Sequence, residues 1–339
     1  VFPTALKVAG LTLLKELEAA LARLQETLQR KEQEFADVLK VGRTQLRDAV
    51  PMTLGMEFGA FAEALARDRW RIFKCRERIK QVNLGGTAVG TGLGAPRDYI
   101  LRVVGCLKGI TGLPVSRSEN LVDATQNLDC FAEAMGMLTA LAANLLKIAN
   151  DFRLLYSGPD GGLGEIDLPP LQAGSSVMAG KINPVLPEAV AQVALKVMAA
   201  GQTVTLCAGL GQLDLNHLLP LLAHEFLESL RLLRNVVEVF EAKCVRGVAA
   251  RPERCAELVA RSKALATVLV PALGYDAVEV VVRRAEATGA GVERTVLDLG
   301  VADAATVREL LSPRRMRKLG FTPGEYDGLR APAREPDPA

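Results

Sequence analysis

Ala189-Val-Ala-Gln-Val-Ala-Leu-Lys-Val-Met-Ala-Ala200 is apolar nearly all the way round, with only Gln192 and Lys196 polar. A helix without a polar face must be buried on every side. One small bundle gives too little cover for that. The stretch therefore predicts a long helix, running from behind Pro184 to about Cys207, that packs inside a bundle and between the subunits of an oligomer.

Working outward, the same helical character recurs. Leu14, Leu17, Leu21, Leu24, Leu28, Phe35 and Val38 follow 3–4 spacing, broken only at Lys31, which marks a long packed helix. Pro3 suits its first turn. Val41 to Thr53 is polar and carries Pro51, so it reads as a loop. A second helix is expected from about Leu54 to Val82, and the glycines of 83–96 then make a loop. Helical patterns resume near Arg97, and a long helix is expected from about Leu121 to Tyr156. Residues 157–183 are rich in Gly, Pro and Ser; a further helix covers about Leu215 to Ala242, and shorter ones follow Gly247. Strand signals are nearly absent, and 4% aromatic residues is low for an all-β protein. The reading is all-α: a long-helix bundle with catalytic loops over 1–246, a small C-terminal helical domain over 247–330, and a disordered tail over 331–339. Length alone favours about two domains.

Composition excludes some functions. With 41 basic and 39 acidic residues the net charge is +2, which gives no electrostatic reason to expect nucleic acid. The cluster Arg314, Arg315, Arg317 and Lys318 reads as a solvated surface. The six cysteines form no CxxC pair and only two histidines exist, so no metal site is expected; the cysteines read as small buried hydrophobes of a reducing compartment, the cytoplasm. The apolar stretches are interrupted by charges and glycines, so no membrane partner is expected.

Two motifs tempt and fail. Gly90-Thr-Gly-Leu-Gly-Ala95 imitates a dinucleotide fingerprint but lacks a preceding strand and runs into Pro96. Gly174 to Lys181 ends like a phosphate loop but is one residue too long, with Ile182 where Ser or Thr is needed. His217 and His224, seven apart, read as surface or packing residues.

Three other stretches belong together. They are Gly42-Arg-Thr-Gln-Leu-Arg-Asp-Ala-Val-Pro-Met-Thr-Leu-Gly55, Gly85-Gly-Thr-Ala-Val-Gly-Thr-Gly-Leu93 and Gly174-Ser-Ser-Val-Met-Ala-Gly-Lys-Ile-Asn-Pro184. In order and content they resemble the signature regions of the aspartase/fumarase superfamily. The third matches six of the seven fixed positions of G-S-S-x-M-P-x-K-x-N, which chance gives on the order of once in 10⁷–10⁸ starts. The resemblance covers essentially the whole chain.

The resemblance implies a lyase that needs no cofactor. Elimination next to a carboxylate requires a base for a weakly acidic Cβ proton and rigid donors for the doubly charged aci-carboxylate that forms. By resemblance Ser175 is that base, acting as an alkoxide on a mobile loop, and Glu188 is a supporting carboxylate that completes the catalytic set. A plain helix N-terminal charge explains Glu188 equally well. Lys181 and Asn183 hold substrate carboxylate, with Ser176 beside them. Thr44 and Gln45 are the substrate-facing pair, and Thr87 is a possible support, although simple loop packing explains it too. The family assembles each site from three subunits of a homotetramer, and its substrates are small dicarboxylates.

Within the superfamily the residues lean towards release of ammonia from L-aspartate. Gln45 stands where fumarases carry histidine, and Leu171-Gln-Ala-Gly-Ser-Ser, Pro184-Val-Leu-Pro-Glu188 and Gly211-Gln-Leu-Asp-Leu-Asn216 resemble the aspartase forms. Fumarate hydration, another lyase reaction and a non-catalytic structural role of the lens-crystallin kind stay open. Ala179, Gly94, Met56 and Asp160 depart from the family's Pro, Asn, Gln and Arg. Val1-Phe-Pro-Thr4 resembles the tail of S-x-S-x-N-D-x-x-P-T, so an N-terminal truncation is expected, with carboxylate-gripping residues upstream.

Overall fold

The leucines of the 3–4 pattern lie along one long helix. In the computed structural model, which describes residues 1–316 and 318–326, α1 runs Phe2–Glu34. Its Leu14, Leu17, Leu21, Leu24 and Leu28 are fully buried. The chain folds into two compact units. Unit 1 comprises Val1–Leu28, Phe61–Ser157 and Leu168–Val248; unit 2 comprises Gln29–Ala60, Gly158–Asp167 and Ala249–Ala339. The sequence reading had placed 29–60 and 158–167 in the bundle domain. They join the C-terminal part because their partners lie there, as described below. The expected tail 331–339 and Arg317 fall outside the described residues.

Unit 1 holds most of α1 and of α2 (Leu54–Ile79), with α5 (Asp129–Leu155), α6 (Val185–Gly209) and α7 (Leu219–Lys243); α1 meets α2 through Glu18 and Arg76, α5 through Lys7 over the Phe131 ring, and α7 through Glu16 and Arg234. The shorter α3 (Arg97–Thr111) and α4 (Asp123–Gln126) come between α2 and α5 along the chain. The helix expected over 121–156 is broken, because Asn127 takes an extended conformation (φ −94°, ψ 136°) between α4 and α5. Rings interlock through the bundle: Phe131 meets Phe226 edge-on at 5.3 Å, and Phe152 touches both Phe61 (6.0 Å) and Phe240 (5.4 Å). Such pairs add about 0.5–1.5 kcal/mol each beyond their buried area. Gly201 lets α6 approach α5, since a Cβ there would sit 2.7 Å from Thr139 Oγ1.

Along α6, Val190, Ala194, Val197, Ala200 and Val204 are buried, while Leu195 is 57% and Leu206 63% exposed. The predicted all-round apolar helix is thus covered on one side within a single chain. By length and composition α5 and α6 each meet the measure of a membrane span, with mean hydropathy 1.3, contrary to the sequence reading of interrupted apolar stretches. Their buried apolar residues pack against each other and α7.

Unit 2 is built on a hairpin where a loop was expected. β1 (Leu39–Thr44) pairs antiparallel with β2 (Arg47–Thr53). The segment looked polar because it carries charges, but Lys40 is only 2% exposed and its ammonium lies 2.8 Å from Glu57 and 3.3 Å from Glu165. Charges paired inside the unit read as solvated charges in the sequence. The rest comprises α8 (Pro252–Arg261), a 3₁₀ turn over Lys263–Leu269, α9 (Val270–Leu273), α10 (Tyr275–Thr288), α11 (Val292–Asp298), α12 (Ala304–Leu310) and α13 (Pro313–Met316). Their core gathers Leu265, Leu269, Val281, Val296 and Leu310 with Val41 of β1.

Among the described residues two further strand pairings, each two residues long, act as tethers rather than sheets. Gln81–Val82 (β3) runs parallel to Ser116–Arg117 (β4), and Ile166–Asp167 (β5) antiparallel to Ala249–Ala250 (β6). Cys75, Cys244 and Cys255 behave as the expected small hydrophobes: burial pushes each thiol up to about 12. Cys106 differs, being exposed.

Candidate functional site

The loop entering α6 folds back on itself. Gly174 N donates to Lys181 O (2.8 Å), Asn183 Nδ2 donates to Gly174 O (3.3 Å), and Tyr156 Oη donates to Ile182 O (3.3 Å). Only glycine fits at 174, because a Cβ would sit 2.7 Å from Lys181 O and 2.9 Å from Asn183 N. The closed neck brings Gly174, Ser175, Lys181 and Asn183 into one small loop. Its tip is open to solvent, with Val177 89% exposed.

Ser175 sits at the start of this loop, half-buried, and its Oγ accepts hydrogen bonds from Val177 N (3.1 Å) and Met178 N (3.0 Å). Two backbone donors on one hydroxyl oxygen favour its charged form over the neutral one, which is the requirement for a serine base. Ser176 and Lys181 are exposed, and Asn183 is half-buried. Glu188 stands in the first turn of α6, its N–H donating to Pro184 O (3.1 Å). A carboxylate there complements the helix dipole whatever else it does.

Thr87 lies in the second glycine-rich loop of the same unit. It is exposed, with φ 58°, so it does not pack the loop as the simpler sequence reading had it. A threonine held in the left-handed region costs about 1–2 kcal/mol, and such strain gathers at functional positions. Around it, Gly86 N donates to Asn83 O, and Gly90 N and Gly92 N both donate to Gly86 O. Asn83 is buried, accepting from Thr4 Oγ1 (2.9 Å) and donating to Thr125 Oγ1 (3.1 Å).

Thr44 and Gln45 belong to unit 2, at the tip of the hairpin. Both are exposed, and Gln45 (φ 53°) and Leu46 (φ 58°) are consecutive left-handed residues. That is the backbone of a type I′ turn, normally made by Asn-Gly. Behind the tip, Arg43 forks onto Glu165: Nη1 lies 3.1 Å from Oε2 and Nη2 2.9 Å from Oε1. The sequence reading passed over Arg43, Lys40, Glu57 and Glu165. Arg43 stood inside a quoted motif, but no local spacing links it to an acid 122 residues away.

Known proteins resemble this chain over most of its length. A family model described as lyase matches residues 1–199, and one described as fumarase C C-terminus matches residues 265–318. The chain is 44% identical over 316 residues to an aspartate ammonia-lyase of Pseudomonas aeruginosa, covering 93% of this chain and 67% of that protein. It is 41% identical over 320 residues to an aspartate ammonia-lyase of a Bacillus species, covering 94% and 68%. A crystal structure of fumarate lyase:delta crystallin from Brucella melitensis bound to cobalt superposes with a TM-score of 0.88 at 42% identity, covering 94% of this chain and 69% of that one. A class II fumarase from Schistosoma mansoni follows at 0.84 and 32%, covering 93% and 69%.

Proposed function

The chain belongs to the aspartase/fumarase superfamily of lyases, and from that footing we propose that it eliminates ammonia from L-aspartate to give fumarate. The observation that carries this is the identity of 40–44% with aspartate ammonia-lyases over most of the chain. Ser175, as alkoxide, takes a Cβ proton, and the electron pair moves into the adjacent carboxylate to form the aci-carboxylate. The pair then returns to form the C=C bond as the C–N bond breaks, and ammonia leaves with the bonding electrons. Lys181 and Asn183 supply positive charge and a donor to substrate carboxylate, where developing charge makes them worth most. Thr44 and Gln45 face the substrate, and Thr87 supports it.

The substrate is tested by fumarate absorbance with the protein expressed from its intact gene. L-Aspartate is expected to give fumarate faster than L-malate does. The reverse order overturns this assignment in favour of fumarate hydration.

We also propose a homotetramer with sites shared between subunits. Its support is the half of α6 that one chain leaves uncovered, including Leu195 and Leu206. Exposed apolar surface of that kind marks an interface. Sedimentation at micromolar concentration is expected to show the tetramer, and a well-folded monomer overturns it.

A further inference from the structure

Arg43 and Asp48 face each other across the β1–β2 ladder, followed towards the tip by the Thr44–Arg47 pair and then by Gln45 and Leu46. Each of the two flanking residues is tied elsewhere in unit 2. Arg43 forks onto both oxygens of Glu165, and Ser262 Oγ donates to Asp48 Oδ2 at 2.7 Å. Glu165 is itself fixed. Its side chain is wholly buried, Arg251 N donates to its carbonyl at 2.9 Å, and the next two residues form β5 against β6. Lys40, one turn of the ladder back, lies 3.3 Å from the same carboxylate and 2.8 Å from Glu57. Two cations and two anions thus cancel within the hairpin's base.

A buried ion network is a poor way to gain stability, since apolar residues of the same volume usually serve as well or better. It is a good way to fix geometry, because a planar guanidinium on a buried carboxylate has one arrangement. The tip beyond it needs fixing. Two successive left-handed residues without a glycine would relax if their flanks were free. We infer that Glu165 is a positioning residue: through Arg43 it holds the Thr44–Gln45 turn in the conformation that meets the substrate. This rests on the reading of Thr44 and Gln45 as substrate-facing.

The test uses the protein expressed from its intact gene. Glu165→Gln keeps the shape and removes the charge, and Arg43→Lys keeps the charge and removes the fork. Arg43→Lys carries the test if Glu165→Gln does not fold, and Ser262→Ala cuts the other tie of the hairpin, at Asp48, without stranding a buried charge. Amide hydrogen exchange is expected to quicken over residues 43–48 in each variant, while α5 keeps its protection. Unchanged exchange at the tip, or loss of protection throughout, overturns the proposal. In kinetics, Glu165→Gln or Arg43→Lys is expected to lower kcat/KM for L-aspartate by about 10²-fold, the cost of a small misplacement. Adding either to Gln45→Ala is expected to cost little more than Gln45→Ala alone, because both act through one residue. Fully additive losses overturn the positioning role. A wild-type protein without aspartate turnover sinks the functional reading instead, and the exchange measurement then judges the anchor by itself.

Discussion

Ser175→Ala is expected to lower kcat for L-aspartate by about 10²–10⁴-fold, the usual contribution of a positioned general base, with the fold unchanged. The reason for both halves is local. Ser175 Oγ is the acceptor for Val177 N and Met178 N, so the alanine variant loses the only atom on which these donors could stabilise negative charge. The two N–H groups that remain sit on an exposed tip and can turn to water, so little stability is lost. The neck of the loop, Gly174 to Lys181 and Asn183, does not involve the hydroxyl. Ser176→Ala is the comparison, since it alters the neighbouring exposed serine and leaves in place the Ser175 oxygen that accepts two hydrogen bonds. It is expected to lose much less. A larger loss from Ser176→Ala reverses the assignment within the pair. If neither variant slows an active enzyme, another group takes the proton. Lys181→Ala is expected to raise KM as well, by removing a charged contact.

Gly90→Ala is expected to be among the most damaging single changes to stability, at about 2–5 kcal/mol, from left-handed strain of about 1–2 kcal/mol and overpacking of about 1–3 kcal/mol. Gly90 has φ +93°, and a Cβ there would lie 2.3 Å from both Val122 N and Val122 Cα. Backbone cannot rotate away as a side chain can, so the glycine-rich loop that carries Thr87 would have to move. Gly94 separates the two effects. Its φ is +84°, yet nothing lies within 4 Å of its missing Cβ, so Gly94→Ala is expected to cost only about 1–2 kcal/mol. Gly94→Asn is expected to cost less again, because asparagine tolerates left-handed backbone. Urea midpoints at constant slope measure all three. Equal losses from Gly90→Ala and Gly94→Ala would show that the approach to Val122 does not constrain the loop.

Much of this architecture was legible because it is written in short-range periods. The leucines of α1 mark their own burial, and the apolar circumference of α6 shows it is a core helix with a side left over. The loop containing Ser175 was legible as a motif, with Gly174 placed where backbone crowds it. What the sequence hid was pairing at a distance. Lys40 and Arg43 read as solvent-facing charges until Glu57 and Glu165 are seen beside them. The hairpin was missed for the same reason, since Pro51 and the charges outweighed the strand signal of Val41 and Val50. The left-handed backbone at Gln45, Leu46 and Thr87 carried no signature either, because none is a glycine or asparagine.

The division of the chain into interleaved units has a consequence for how the molecule is made. A ribosome delivers the hairpin early and its fastenings late: Asp48 and its partner Ser262 are 214 residues apart. At about 5–20 residues per second, translation leaves the hairpin waiting roughly 10–40 s for that partner. A two-stranded hairpin alone is marginal in water, so the nascent chain carries Thr44 and Gln45 on an unfinished platform until that partner arrives. The bundle helices α5, α6 and α7 all emerge during that wait. The second unit closes only when the segment from Ala249 onward leaves the exit tunnel, so a segment translated 214 residues after Asp48, at Ser262, completes the hairpin.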